Sequence, residues 1–175
     1  GVLPVIKHIP GHGRAVVDSH LHLPRTTAHA ATLEATDFAP FRALADLPVA
    51  MTGHVAFDAV DPDRPATLSP SVIGMIRERI GFAGLLLTDD LSMEALSGTL
   101  AERAAGAIAA GCDVALHCNG RLAEMEAVVA AAGRLSPAAA ARAEAALALR
   151  RAPDAIDGDR LAAEFEALAG SFADV

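Results

Sequence analysis

Two clusters of reactive side chains stand out in this chain of 175 residues. The first runs Lys7-His8-Ile9-Pro10-Gly11-His12-Gly13 and continues, after a short spacer, into Asp18-Ser19-His20. Glycines on both sides of His12 permit a sharp turn, and Pro10 stiffens its entry. Asp18 and His20 are two residues apart. An extended chain would point both side chains the same way, whereas a turn would let the carboxylate accept a hydrogen bond from the imidazole. A carboxylate that orients a histidine and raises its pKa makes a general acid that works near neutrality. The second cluster is the adjacent pair Asp89-Asp90, which closes the apolar run Gly84-Leu85-Leu86-Leu87-Thr88. A carboxylate in such a place serves as nucleophile or as an orienting charge.

The elements that must position these groups alternate strand and helix. The first strand is read over Val2–Ile6 and ends at Lys7-His8. A long polar loop follows, then a helix from Leu33 to Ala45 with Phe38, Phe41 and Leu44 on one face. The second strand is Pro48–Thr52. Its helix has Ser69 as N-cap, Pro70 at the first position, an apolar face of Val72, Ile73, Ile76 and Ile80, and Gly81 just past its end. The third strand, Gly84–Thr88, is continuously apolar, as strands covered on both faces are. Thr99 and Glu102 form a capping box for a helix that runs to Ala110 and closes at Gly111. Strand Val114–Leu116 and a helix from Leu122 to Ala132 make the fourth unit. Two more helices follow: Pro137 to Arg151 behind Ser136, and Arg160 to Phe172 behind Asp159.

Repeated βα units imply a parallel sheet, and both a doubly wound sheet and a barrel satisfy the pattern. Lys7-His8, Thr52 to His54, Asp89-Asp90 and His117 to Asn119 all fall at C-terminal strand ends, where barrel enzymes build their sites. Crevices of open sheets use the same ends, so the placement leans toward the barrel without deciding it.

Composition narrows the function. The formal charge is −8 and no basic stripe is present, which argues against a nucleic-acid surface. No run reaches the ~18 apolar residues of a membrane span. Trp and Tyr are absent, so a ligand would find few rings to stack on and would be held mainly by hydrogen bonds. Cys112 and Cys118 match no zinc spacing and read as buried free thiols. Seven histidines raise a metal hypothesis, but HxH and HxxxH spacings in a glycine-containing loop are weakly specific, and no metal or cofactor is expected. The PGHG run lacks the Lys-Ser/Thr ending of a phosphate-binding loop. His12 reads as a brace of its loop, and His22 and His29 as solvated. Glu94, Glu102, Glu124 and Glu126 read as solvated helix faces.

KHIPGHG, the spacer and DSH resemble the loop of family 3 glycoside hydrolases of the β-N-acetylhexosaminidase type from bacterial cell-wall recycling. Met75 to Arg79, Gly84 to Asp89 and Asp90 to Met93 are similar to that family's nucleophile signature. The resemblance runs from Val2 to at least Asn119. It implies Asp89 as nucleophile, His20 as acid/base with Asp18 as its partner, and Lys7 and His8 as grips on sugar hydroxyls. His54, just past a strand end, is expected on the substrate side. The implied fold is the C-terminal half of a (β/α)8 TIM barrel, strands five to eight over residues 1–133, with a helical extension over 134–175 packed on it.

The implied reaction is retaining hydrolysis. Terminal β-linked N-acetylglucosamine would leave peptidoglycan-derived or chitin-type oligosaccharides, muropeptides included, in the cytoplasm. A carboxylate nucleophile gives a covalent glycosyl-enzyme and net retention. The Asp89-Asp90 pair would also suit a substrate-assisted route, and the resemblance favours the covalent one. A family 3 β-glucosidase or β-xylosidase is the nearest alternative, which Asp18-Ser19-His20 and the short tail argue against. The chain opens on Gly1 in an apolar run, which reads as a fragment lacking its N-terminal half barrel. A non-catalytic half barrel is therefore the alternative of another class.

Overall fold

The computed structural model describes residues 2–170. In chain order the elements are β1 (Val5–Ile9), β2 (Arg25–Thr26), α1 (Ala30–Ala35), α2 (Ala39–Ala43), β3 (Val49–Thr52), β4 (Ala56–Phe57) and β5 (Asp61–Pro65). Then come α3 (Pro70–Met75), β6 (Leu85–Asp90), α4 (Leu100–Ala110), β7 (Val114–Leu116), α5 (Leu122–Ala132), α6 (Pro137–Ala148) and α7 (Gly158–Gly170). β1, β3, β6 and β7 form one sheet in that order, every pair parallel.

Strand order and burial together decide the architecture. A doubly wound sheet reverses its order at a switch point; this one never does. Register aligns Ile6, Ala50 and Leu86 on one face. All three are buried in a core shared with Val72, Ile76 and Ala107 from the helices. The other face carries Val5, Met51, Leu85, Leu87 and Val114, which are only partly covered, Val5 being 42% exposed. Helices outside and an inner face turned toward an axis make the wall of a (β/α) barrel.

Local signals hold at the helix ends. The Ser69 hydroxyl accepts from the Val72 N–H, and Gly81 closes that segment with φ 84° after a π-helical turn over Ile76–Ile80. The Thr99–Glu102 capping box is fully formed, and Ser136 caps α6. At Gly84 a Cβ would lie 2.5 Å from the Pro48 carbonyl oxygen, so only glycine lets β6 start against the entry to β3.

Two expectations need correction, and one small sheet was not expected. β1 begins at Val5, not Val2, and Lys7 and His8 lie inside it. Pro4 has no N–H to donate, so the ladder starts after it. The single helix expected over 33–45 breaks in two. The N–H groups of Asp37 and Phe38 both turn onto the Leu33 carbonyl, the Thr36 hydroxyl bonds the Thr32 carbonyl, and Pro40 cannot extend the ladder. A small second sheet of β2, β4 and β5 was not legible, because β5 carries two prolines and no apolar alternation.

At the base of the sheet, Asp113 ties α6 to β6 and to the helical segment that carries Arg77. Its carboxylate accepts from Arg77 Nη2 (2.7 Å), Arg142 Nη1 on α6 (2.8 Å) and the Leu86 N–H (2.9 Å). α6 also buries Ala139 and Ala146, whereas α7 buries none of its residues. Phe172, the expected end of the last helix, lies outside the described residues.

Candidate active site

β1 and β6 lie on either side of β3 and bring the two reactive clusters to one end of the sheet. His8 Nε2 lies 3.3 Å from Asp89 Oδ2. Burial lowers the His8 pKa, and the charges of Lys7, His12 and His20 lower it further against the opposing pull of Asp89. At neutral pH the ring is therefore uncharged, and Asp89 faces a polar ring in place of a cation. Gly53, just past β3, makes room for this. A Cβ there would sit 3.0 Å from the His8 Cβ and 3.3 Å from His12 Cδ2.

The Asp18–His20 pair takes the turn form. Asp18 Oδ1 accepts from the His20 backbone N–H at 2.9 Å and from His20 Nδ1 at 2.8 Å. Because a carboxylate only accepts, Nδ1 carries the proton and Nε2 points away from Asp18. The backbone bond first, and then the imidazole bond, hold the Asp18 pKa below its ordinary value. The His20 and Asp18 side chains are 74% and 60% exposed, so the dyad stands open to whatever enters the site.

Three ties hold this loop in place. Arg14 Nε reaches both Asp37 oxygens (3.0 and 2.8 Å), with Nη2 on the Thr36 hydroxyl at 3.0 Å. His12 Nε2 and the Ser19 hydroxyl are 3.1 Å apart, as befits the brace expected of His12. The Glu94 N–H donates to the His20 carbonyl at 2.9 Å, fastening the dyad to the segment that follows Asp89. Lys7, His8, His12, Arg14, Asp37 and Phe41 line a cavity of about 560 Å³ beside the loop.

The two aspartates have different surroundings. Asp89 Oδ1 accepts the Asp90 N–H at 2.9 Å, and Oδ2 faces His8. Asp90 is engaged throughout: Oδ1 accepts from the Ser92 N–H (3.0 Å) and Cys118 N–H (3.2 Å), and Oδ2 from the Ser92 hydroxyl (2.6 Å). Burial would raise the Asp90 pKa, but these bonds outweigh it and keep the group ionised. Asp89 is the carboxylate with an oxygen to spare.

His54 is not on the substrate side. It is 0% exposed, with Nδ1 2.8 Å from the Thr67 hydroxyl and Nε2 3.0 Å from the Asp90 carbonyl oxygen. The chain turns inward after β3, and the ring ends up behind Asp89-Asp90. The paired reading of the cysteines is half right. Cys112 is buried and its thiol is pushed up to about 12 by burial, while Cys118 is exposed past the end of β7. His22 and His29 are exposed. Glu124 is not a solvated face residue: it is half-buried against His117, Asn119 and Arg121.

Residues missed from sequence include Ser92, which holds Asp90, and Arg103, whose Nη1 bonds the carbonyls of Leu91 (2.8 Å) and Met93 (3.1 Å). Asp-x-Ser is a turn signal that would have found the first. Nothing local marks Arg103. Among the described residues no group of three or more His, Cys, Asp or Glu is placed to hold a metal ion. No described helix is long and apolar enough to cross a membrane.

Residues 1–149 match the model of the glycosyl hydrolase family 3 N-terminal domain. A β-hexosaminidase of Alkalilimnicola ehrlichii is 47% identical over 124 residues, covering 68% of this chain and 35% of that protein. One from Tolumonas auensis is 43% identical over 121 residues, covering 66% and 36%. This chain thus spans about a third of the length of these curated relatives. Among solved structures, a family 3 β-N-acetylglucosaminidase from Paenibacillus sp. superposes with TM-score 0.74 at 32% identity, over 90% of this chain and 34% of that one. NagZ from Neisseria gonorrhoeae, in complex with N-trifluoroacetyl-D-glucosamine, gives 0.71 at 35% identity, over 82% and 42%.

Proposed function

Because this chain belongs to glycosyl hydrolase family 3, we propose that it carries the catalytic groups of a retaining β-N-acetylhexosaminidase. The substrate is a terminal β-linked N-acetylglucosamine on a peptidoglycan-derived or chitin-type oligosaccharide, muropeptides included, and the place of work is the cytoplasm. In the first step an Asp89 oxygen attacks the anomeric carbon. The glycosidic bond breaks, and His20 Nε2 gives its proton to the departing oxygen. In the second, water attacks the glycosyl ester while His20 takes a proton from it, and Asp89 leaves as carboxylate. Asp18 keeps the ring oriented and balances the imidazolium that precedes each proton donation. His8, beside Asp89, and Lys7, in the cavity next to the loop, hold sugar hydroxyls.

The observation that carries this reading is the formed Asp18–His20 pair, tied through the His20 carbonyl to Glu94 on the segment following Asp89. It supplies an acid on the loop itself, which is what sets the hexosaminidase reading above a β-glucosidase or β-xylosidase. Among the described residues the barrel wall, which runs up to residue 133, has two free edges, β1 and β7, and a partly bare inner face. The helices α6 and α7 form the extension. A complementary half barrel closes the site, and the 175-residue piece alone self-associates and does not turn over.

The test is hydrolysis of an aryl N-acetyl-β-glucosaminide by the chain joined to the half that completes it, with the first-released anomer read by proton NMR. The β-anomer supports the two-step route; an α-anomer overturns it. A monodisperse, fully active monomer of residues 1–175 would overturn the need for a second half.

A further inference from the structure

His54 is buried beyond the reach of a sugar, yet its bonds run toward the proposed nucleophile. The Asp90 carbonyl can only accept, so His54 Nε2 carries the proton at 3.0 Å. Burial lowers the ring's pKa, which leaves it neutral with a bare Nδ1. The Thr67 hydroxyl must then donate to Nδ1 at 2.8 Å, and its oxygen accepts from the Thr52 hydroxyl at 2.8 Å. The Gly53 carbonyl, at 3.4 Å, is the poorer outlet for the Thr67 proton. Thr52, Thr67 and His54 are each 0% exposed, so water cannot substitute for any link. The chain of donors runs one way, from Thr52 to Asp90.

Its end point is Asp90, a residue gripped from two sides. His54 holds the carbonyl, while Ser92 and the Cys118 N–H hold the carboxylate. With both fixed, the Asp90 N–H cannot swing, and that N–H donates to Asp89 Oδ1 at 2.9 Å. The remaining oxygen is thereby left toward His8. We infer that His54 is a positioning residue: through the Asp90 backbone it sets the orientation of the Asp89 carboxylate and never touches substrate. The inference rests on Asp89 being the nucleophile.

Two arms test it in the completed enzyme. Imidazole 15N NMR is expected to show His54 as the neutral Nε2–H form between pH 7 and 8, and as a mixture of tautomers in Thr67→Val. The Nδ1–H form or an imidazolium would overturn the donor chain, whatever the enzyme's activity. In the kinetic arm, His54→Leu removes the donor, and displacing a reacting group by about 1 Å costs on the order of 100-fold. A loss of that size is expected in kcat with KM nearly unchanged. His54→Gln, which can still offer an N–H to the Asp90 carbonyl, should recover most of it and stays informative if the leucine variant does not fold. A loss that falls in KM, or a glutamine variant as slow as leucine, would overturn the positioning role. A wild-type enzyme without hexosaminidase activity would sink the proposed function instead, while the tautomer arm still decides the donor chain.

Discussion

Replacing His20 by alanine should slow different substrates by very different factors. The histidine's Nδ1 is committed to Asp18 at 2.8 Å, so Nε2 is the group able to protonate a leaving oxygen. General acid catalysis contributes roughly 10²- to 10⁴-fold. Here the dyad is exposed, 74% and 60%, and water screens the carboxylate's effect on the ring. The lower half of that range, about 10²- to 10³-fold in kcat/KM, is therefore expected on a sugar aglycone, which departs as a poor leaving group. An activated aryl glycoside leaves as a stable phenolate and should lose less than about tenfold. Asp18→Asn should fall between, and Asp18→Asn combined with His20→Ala should be no worse than His20→Ala alone, because the two act as a unit. Steady-state kcat/KM for both substrate classes, measured on all three variants, gives the comparison. Equal losses on the two classes would refute the assignment and make His20 a structural residue of its loop.

Three further outcomes follow from the geometry. Asp113→Ala strands two arginines and the Leu86 N–H, and breaking a buried pair costs about 3–5 kcal/mol. Arg142 is 33% exposed and can rehydrate, so about 3 kcal/mol is expected from urea unfolding, and under about 1 kcal/mol would contradict the clasp. With His8 and His54 both held below the ordinary histidine value by burial, the unfolded chain binds more protons than the folded one as pH falls below about 6.5. Stability is then full above that pH and declines below it, so the urea midpoint should drop from pH 7 to pH 5 and drop less in His54→Gln; identical midpoints would refute it. A thiol reagent at pH 8 should modify Cys118 and spare Cys112, whose thiol stays protonated until the protein unfolds; mass spectrometry of native protein checks this.

Helix ends were legible in the sequence because caps are local chemistry. Ser69, Thr99 with Glu102, Gly111 and Ser136 each do what their residue type and spacing imply. The βα alternation was legible because short apolar runs such as Leu85–Leu87 and Val114–Leu116 alternate with longer stretches of helical periodicity. The helix over 33–45 misled because apolar spacing at Phe38, Phe41 and Leu44 outweighed Pro40, and Leu44 proves 43% exposed. Asp18–His20 could be seen as a pair, but only the turn decides that the carboxylate caps both the backbone and the ring. His54 was misplaced because position after a strand end does not say which way the chain turns. Its role depends on Thr67 and Asp90, 13 and 36 residues away, and contacts of that range leave no local trace.

The most direct test of the central claim is to trap the intermediate. The completed enzyme is treated with a fluorinated glycosyl inactivator that forms the glycosyl ester faster than water removes it, then digested and sequenced by mass spectrometry. The expected result is one sugar on the peptide spanning β6, attached to Asp89 and absent in Asp89→Asn. Attachment to Asp90, or an unlabelled enzyme that still turns over, would contradict the assignment of Asp89 as nucleophile.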